Sequence, residues 1–379
     1  MDSADAIVVG AGPAGLACAA TMGRLGLDVA LLEKADAVAS VWRRHYDRLH
    51  LHTDRSHSAL PGHAMPRSYP KYPSRDQVVE YLEDYAARFD LRPQFNSAVR
   101  TIRRDGSTWH VDAGPKSLTA PVVVVATGWA DFPYLPTWPG SDAYEGAVVH
   151  SSRYRNPAPY AGQRVLVVGF GNSGGEIALD LAEAGVDVSL AVRGRVHVLP
   201  RDLFGIPLLT WAIAERHLPT RLVDVINAPA IRLALGSTKE LGLQTPAKGP
   251  RRMVEEDGRV PVLDVGTVAA IRSGAIKLRG GIDRFTADGV VFVGSTAETF
   301  DAVVLATGFR PDLRPLLPQV HGVLDGQGMP LATGAATLAP GLFFCGLIVS
   351  ATGQLREIGI EAQRIAPIAK AYLSHWSAD

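Results

Sequence analysis

At 379 residues the chain is about twice the usual length of one domain, so two domains are expected. Its 38 Lys and Arg balance 38 Asp and Glu with no long run of either sign, which argues against nucleic acid or an anionic membrane surface as a partner. No apolar run reaches the roughly 18–20 residues a membrane helix needs, Met1 to Asp5 leave no room for an export signal, and Cys18 and Cys345 form no C-x-x-C pair, so the expectation is a cytoplasmic protein with no membrane span and no redox-active dithiol.

Residues 6–35 read as strand, glycine turn, helix and strand: Ala6-Ile7-Val8-Val9, then Gly10-Ala11-Gly12-Pro13-Ala14-Gly15, a small-residue helix, then Val29-Ala30-Leu31-Leu32. Uninterrupted apolar strands of this kind belong to a parallel sheet covered on both faces. A second buried strand, Val124-Val125-Ala126, ends in Thr127-Gly128, where backbone can approach a ligand. Pro-rich stretches at 133–139 and 157–159 mark the crossing into another unit. There the opening pattern returns: Val165 to Val168, then Gly169-Phe170-Gly171-Asn172-Ser173-Gly174, a helix, and Val188 to Val192. Gly10, Gly12 and Gly15 fall on Gly169, Gly171 and Gly174 at a constant offset, and two such motifs in register are far more specific than one. Segment 203–245 reads as amphipathic helices, either core packing or the wall of a substrate channel. Val304-Leu305-Ala306-Thr307-Gly308 then echoes the earlier strand and turn. The predicted fold is α/β, two Rossmann-like folds with the second inserted into the first: residues 1–157 and 300–379 form the outer domain and 158–299 the inner.

In each G-x-G-x-x-G the first glycine makes the tight turn, the second admits a pyrophosphate, and the third lets helix pack on strand, with the phosphates on the helix N-terminus. The end of the second strand separates the two sites. Glu33 in the outer fold offers a carboxylate to ribose hydroxyls, as FAD or NAD requires. The matching inner position is Val192, followed by Arg193 and Arg195, and a guanidinium there suits the 2′-phosphate of NADPH.

With these residues the chain resembles the class B flavin monooxygenases. Their signature Phe-x-Gly-x-x-x-His-x-x-x-Tyr is met by Tyr144, Gly146, His150 and Tyr154, departing only at the first position. Within that class, Ala39 to Trp42, Tyr46 to His52, Tyr81 to Ala86, Pro261 to Gly266 and Val196 to Arg201 are similar to the YUCCA group of plant enzymes, which convert indole-3-pyruvate to indole-3-acetate. Residues 350–357 depart from that group's Gly-rich pattern. The resemblance implies an enzyme holding FAD and NADPH that forms a flavin hydroperoxide and inserts one oxygen atom from molecular oxygen into a small organic substrate. A 2-oxo acid such as indole-3-pyruvate is one candidate; general S- or N-oxygenation, Baeyer–Villiger chemistry and peroxide release by an NADPH oxidase are the alternatives. A homodimer is the default assembly.

The residues expected to hold FAD are Gly10, Gly12, Pro13, Ala14, Gly15, Glu33, Lys34, Trp42, His52, Thr127, Gly128 and Gln354. Those expected for NADPH are Gly169, Gly171, Asn172, Ser173, Gly174, Arg193, Thr307 and Gly308. Two carry catalytic expectations. Asn172 either bonds near the pyrophosphate or caps its helix. His52, where relatives commonly carry Asn, either bonds flavin, oxygen or a substrate carboxylate, or is one more residue of a His-rich stretch. No spacing in that stretch matches a metal site.

Overall fold

Four parallel strands form the outer sheet because each is apolar on both faces and needs cover on both. The computed structural model describes residues 2–376. In chain order the elements that frame the site are β1 (Ala6–Val9), α1 (Pro13–Gly23), β2 (Val29–Leu32), β3 (Val122–Val125), β4 (Ala147–His150), β5 (Arg164–Val168), α2 (Asn172–Glu183), β6 (Asp187–Ala191), α3 (Leu208–Ala214), α4 (Thr220–Leu235), α5 (Pro250–Asp257), β7 (Ile276–Arg279), β8 (Ala302–Leu305), β9 (Leu342–Phe344) and α6 (Gln354–Trp376).

The outer sheet runs β9-β3-β1-β2. Alternate residues point to opposite faces. Ala6, Val8, Val122 and Val124 meet α1 and α6, while Ile7, Val9, Val123 and Val125 meet Ile102, Trp109 and Val111 of an antiparallel sheet spanning 101–120. The inner half repeats this sandwich. Its parallel sheet runs β7-β6-β5-β8-β4, with Val165, Val167 and Val304 against α2 and Leu166, Val168 and Val303 against an antiparallel sheet over 282–299.

The inner sheet reaches beyond 158–299, since β4 and β8 lie outside those limits yet supply two of its five strands. The boundary expected from the prolines at 157–159 therefore falls inside the second fold. The crossings lie at 132–134 and 308–310, where Tyr134 N–H donates to Gly308 O at 2.9 Å and Arg310 N–H to Phe132 O at 2.8 Å. No strand periodicity marks β4 on its own, because Ala147 and Val148 are exposed at the sheet edge. Among the described residues no helix is long and apolar enough to cross a membrane, and no group of acidic, His or Cys side chains is placed to hold a metal ion.

Candidate active site between the two nucleotide folds

The two glycine turns have the same geometry. Gly10 and Gly169 sit at φ of +107° and +104°, a backbone region that favours glycine, and a Cβ on either would lie 2.6 Å from a carbonyl oxygen, of Ala126 or Ala306. A Cβ on Gly15 would lie 1.7 Å from Gly10 O, and one on Gly174 would lie 1.9 Å from Gly169 O, so these positions weld helix to turn. Gly12 and Gly171 differ: a Cβ there meets nothing within 4 Å. They are the N-caps of α1 and α2, and neither makes a side-chain cap. Each therefore borders open space in front of unpaired helix N–H groups, the place where a pyrophosphate fits.

A cavity of about 920 Å3 starts at the outer turn. Gly10, Gly12, Pro13, Ala14, Glu33, Lys34, Trp42, His52, Thr127, Gly128 and Gln354 all line it, so the structure brings together every residue expected for FAD except Gly15, which lies behind the turn. Glu33 is buried, accepting from Ala11 N–H at 2.7 Å and Ala35 N–H at 3.0 Å, which pins the carboxylate to the turn. Lys34 pairs with Asp131 at 2.5 Å. Gln354 donates to Gly346 O at 3.2 Å. The hydroxyl of Thr127 is buried without a partner among the described residues, whereas that of Thr307 donates to Tyr134 O at 2.5 Å. The equivalent threonines thus differ in their bonding: the Thr127 hydroxyl is unpartnered at the cavity, and the Thr307 hydroxyl is tied to the crossing strand.

From the inner half only Asn172, among the residues expected for NADPH, lines this cavity. Gly171 is the N-cap, and Asn172 Oδ1 accepts Leu263 N–H at 2.7 Å, joining α2 to the 261–266 segment. Arg193 is exposed just past the end of β6, beside Gly281. Gly169, Gly171, Ser173, Gly174, Thr307 and Gly308 surround the second turn, apart from the cavity.

The signature residues bond to groups of the inner half and its closing turn. Tyr144 O–H donates to Phe300 O at 2.8 Å, and a Cβ at Gly146 would run into the Tyr144 ring. His150 Nε2 is 3.1 Å from Gly308 O, and burial lowers its pKa. Tyr154 O–H donates to Asp180 at 2.7 Å.

His52 sits in the cavity wall with Nε2 2.7 Å from Glu176 Oε1, and its Nδ1 is buried without a partner among the described residues. Glu176, which is 5% exposed on α2, also accepts Tyr46 O–H at 2.7 Å. His45, nearby in the same wall, is depressed to a pKa of about 4 by burial and by Arg155, Arg44 and Arg75. The cavity's far wall is α3 to α5, with Leu209, Ala212, Val223, Ile231 and Val254 as apolar lining. There Trp211 Nε1–H is a buried donor with no partner among the described residues, and Arg251 is held by Glu255 at 3.1 Å. Sequence reading missed Glu176 and Trp211. The available signal for Glu176 was a carboxylate on the apolar face of α2, between Gly174 and Ile177.

Two glycine cradles, one opening on a large cavity at the seam of the halves, define an oxidoreductase of the two-dinucleotide fold, and residues 7–201 match the family described as pyridine nucleotide-disulphide oxidoreductase. The two cysteines of this chain, Cys18 and Cys345, are free, buried and in contact with each other in the outer core. The chain is 42% identical over 329 residues to the indole-3-pyruvate monooxygenase YUCCA1 of Oryza sativa subsp. japonica, covering 86% of this chain and 81% of that protein. It is 41% identical over 341 residues to YUCCA6 of Arabidopsis thaliana, covering 86% and 80%. A solved flavin-containing monooxygenase from Stenotrophomonas maltophilia superposes with a TM-score of 0.74 at 25% identity, covering 98% of this chain and 99% of that one. The chain belongs to the YUCCA group of flavin-dependent monooxygenases, enzymes that use FAD and NADPH.

Proposed function

We propose that this monooxygenase acts on an aromatic 2-oxo acid, with indole-3-pyruvate the first candidate, and that its oxygen transfer takes place in the cavity between His52 and the α3–α5 wall. The observation that carries this reading is the continuity of one cavity from the Gly12 cradle, past Thr127 and His52, to an apolar wall holding an unpartnered indole N–H and a guanidinium. The curated relatives named above are indole-3-pyruvate monooxygenases.

In this reading Gly10, Gly12, Pro13, Ala14 and Gly15 cradle the FAD pyrophosphate, and Glu33 and Lys34 border its ribose. Trp42, Thr127, Gly128 and Gln354 wall the flavin end. Gly169, Gly171, Ser173 and Gly174 cradle the NADPH pyrophosphate, with Thr307 and Gly308 closing that turn, and Arg193 pairs with the 2′-phosphate. FAD, when bound and reduced by NADPH, supplies the activation of dioxygen. The protein's own part is positional. Leu209, Ala212, Val223 and Ile231 take an aromatic ring and exclude water, while the Trp211 N–H and Arg251 meet the carbonyl and carboxylate oxygens. The overall reaction balances as 2-oxo acid, dioxygen, NADPH and a proton giving the acid one carbon shorter, carbon dioxide, NADP and water. Buried free cysteines suit a reducing compartment, the cytoplasm.

The test is NADPH consumption with indole-3-pyruvate, phenylpyruvate and a dialkyl sulfide, with product and hydrogen peroxide both quantified. The expected result is decarboxylated product from the aromatic 2-oxo acids with little peroxide. Sulfide oxidation alone would make the chain a general S-oxygenating enzyme, and peroxide equal to NADPH in every case would make it an oxidase.

A further inference from the structure

We infer that Glu176 is the positioning residue for His52: its carboxylate fixes which ring nitrogen carries the proton and holds that ring in the flavin cavity wall for oxygen transfer.

Glu176 lies on α2, in the inner half, one turn beyond the Gly171 cradle, and is almost fully buried. Both groups that reach it, Tyr46 O–H on Oε2 and His52 Nε2 on Oε1, each at 2.7 Å, come from the outer half. Burial and the neighbouring carboxylate push the Tyr46 phenol well above its ordinary range, so it stays protonated and donates. An ionised carboxylate only accepts. The nitrogen facing it, Nε2, must therefore bear hydrogen. Nδ1 is buried and has no acceptor within reach among the described residues. The arrangement places a ring proton on Nε2, facing the Glu176 carboxylate, and leaves Nδ1 without a partner among the described residues. Because the carboxylate comes from one half and the ring from the other, the tautomer is set only while the two halves are together. That His52 governs oxygen transfer rests on the function proposed above; the tautomer is independent of it.

The experiment uses the full-length FAD-loaded protein carrying 15N-histidine, with His52 assigned by its absence in His52→Gln. Wild type is expected to show His52 as a single tautomer protonated at Nε2. Tyr46→Phe keeps the carboxylate and should keep that tautomer. Glu176→Gln, whose amide presents a donor as well as an acceptor, should lose the single tautomer. Product formed per NADPH should fall at least fivefold in that variant, with FAD content and anaerobic flavin reduction within twofold of wild type. A wild-type His52 protonated at Nδ1 overturns the inference even if Glu176→Gln does not fold. So does a Glu176→Gln spectrum that superposes on wild type, or wild-type coupling in a variant whose tautomer has scrambled. Failure of wild type to oxygenate any 2-oxo acid would instead remove the substrate reading and leave the nitrogen spectrum to decide the tautomer.

Discussion

Three residues apart, Gly12 and Gly15 serve opposite ends, and substitution separates them. Gly12 has φ −80°, which any residue adopts, and nothing within 4 Å of an added Cβ. Gly12→Val is therefore expected to fold with near wild-type thermal stability and to lose FAD, read as flavin absorbance per protein. Gly15→Ala drives a methyl into a backbone carbonyl at 1.7 Å, and is expected to destabilise by upward of about 3 kcal/mol. A yellow, fully loaded Gly12→Val protein would contradict the assignment of the cradle. Arg193 is proposed to pair with the 2′-phosphate of the second dinucleotide. Losing one charge-assisted pair costs about 1.5–3 kcal/mol, so Arg193→Ala should lower kcat/KM with NADPH by at least tenfold and leave NADH nearly unchanged. An unaltered preference would assign the 2′-phosphate to another group.

Helices α3 and α4 show what an amphipathic pattern does and does not say. Only Leu209 and Val223 are buried within them, while Leu222, Val225, Ile226 and Leu233 are exposed on α4. Core packing is thus a minor part of their role, and the cavity is lined by a different set, Leu208, Leu209, Trp211 and Ala212 of α3 with Val223, Asp224, Asn227 and Ile231 of α4. Trp211→Phe keeps the ring and deletes the donor. Removing one hydrogen bond to a substrate oxygen should raise KM for an aromatic 2-oxo acid roughly tenfold, about 1.4 kcal/mol, and leave a dialkyl sulfide unaffected. Equal losses for both substrates would show a packing defect. The sequence made the glycine cradles legible because strand, turn and helix are local and occur twice. Glu176 was hidden for the converse reason: a carboxylate in a helix reads as surface until Tyr46 and His52, more than a hundred residues earlier, are known to face it. The bonds that Asn172 and Thr307 make within the protein were obscured in the same way, since their partners Leu263 and Tyr134 are remote in sequence.

Across the whole molecule the halves meet along a polar seam. Arg48 pairs with Glu183 at 2.7 Å and with Asp180 at 3.6 Å, and Asn156 donates to Asp47 at 2.8 Å. His45 lies at this seam among three guanidinium groups. Its folded pKa, about 4, is below the unfolded value of 6.5, so the unfolded chain takes up the proton first as pH falls. The stability His45 contributes is present above about pH 6.5 and is lost progressively toward pH 4, on the order of 1 kcal/mol per pH unit. Thermal unfolding at pH 7 and pH 5 should show a larger drop for wild type than for His45→Gln; equal drops would remove His45 as a source of acid sensitivity. One topological feature bears on biosynthesis. After β3 the outer sheet waits for more than half the chain before β9 pairs with Val123 to Val125, and α6 then covers α1, with Thr21 O–H reaching Ala362 O at 3.3 Å. The inner fold, contiguous from β4 to β8, emerges from the ribosome complete while the outer one still lacks a strand and a helix. The vulnerable interval of this protein therefore comes late in translation, when an open β3 edge and the bare apolar face of α1 are exposed beside a finished neighbour.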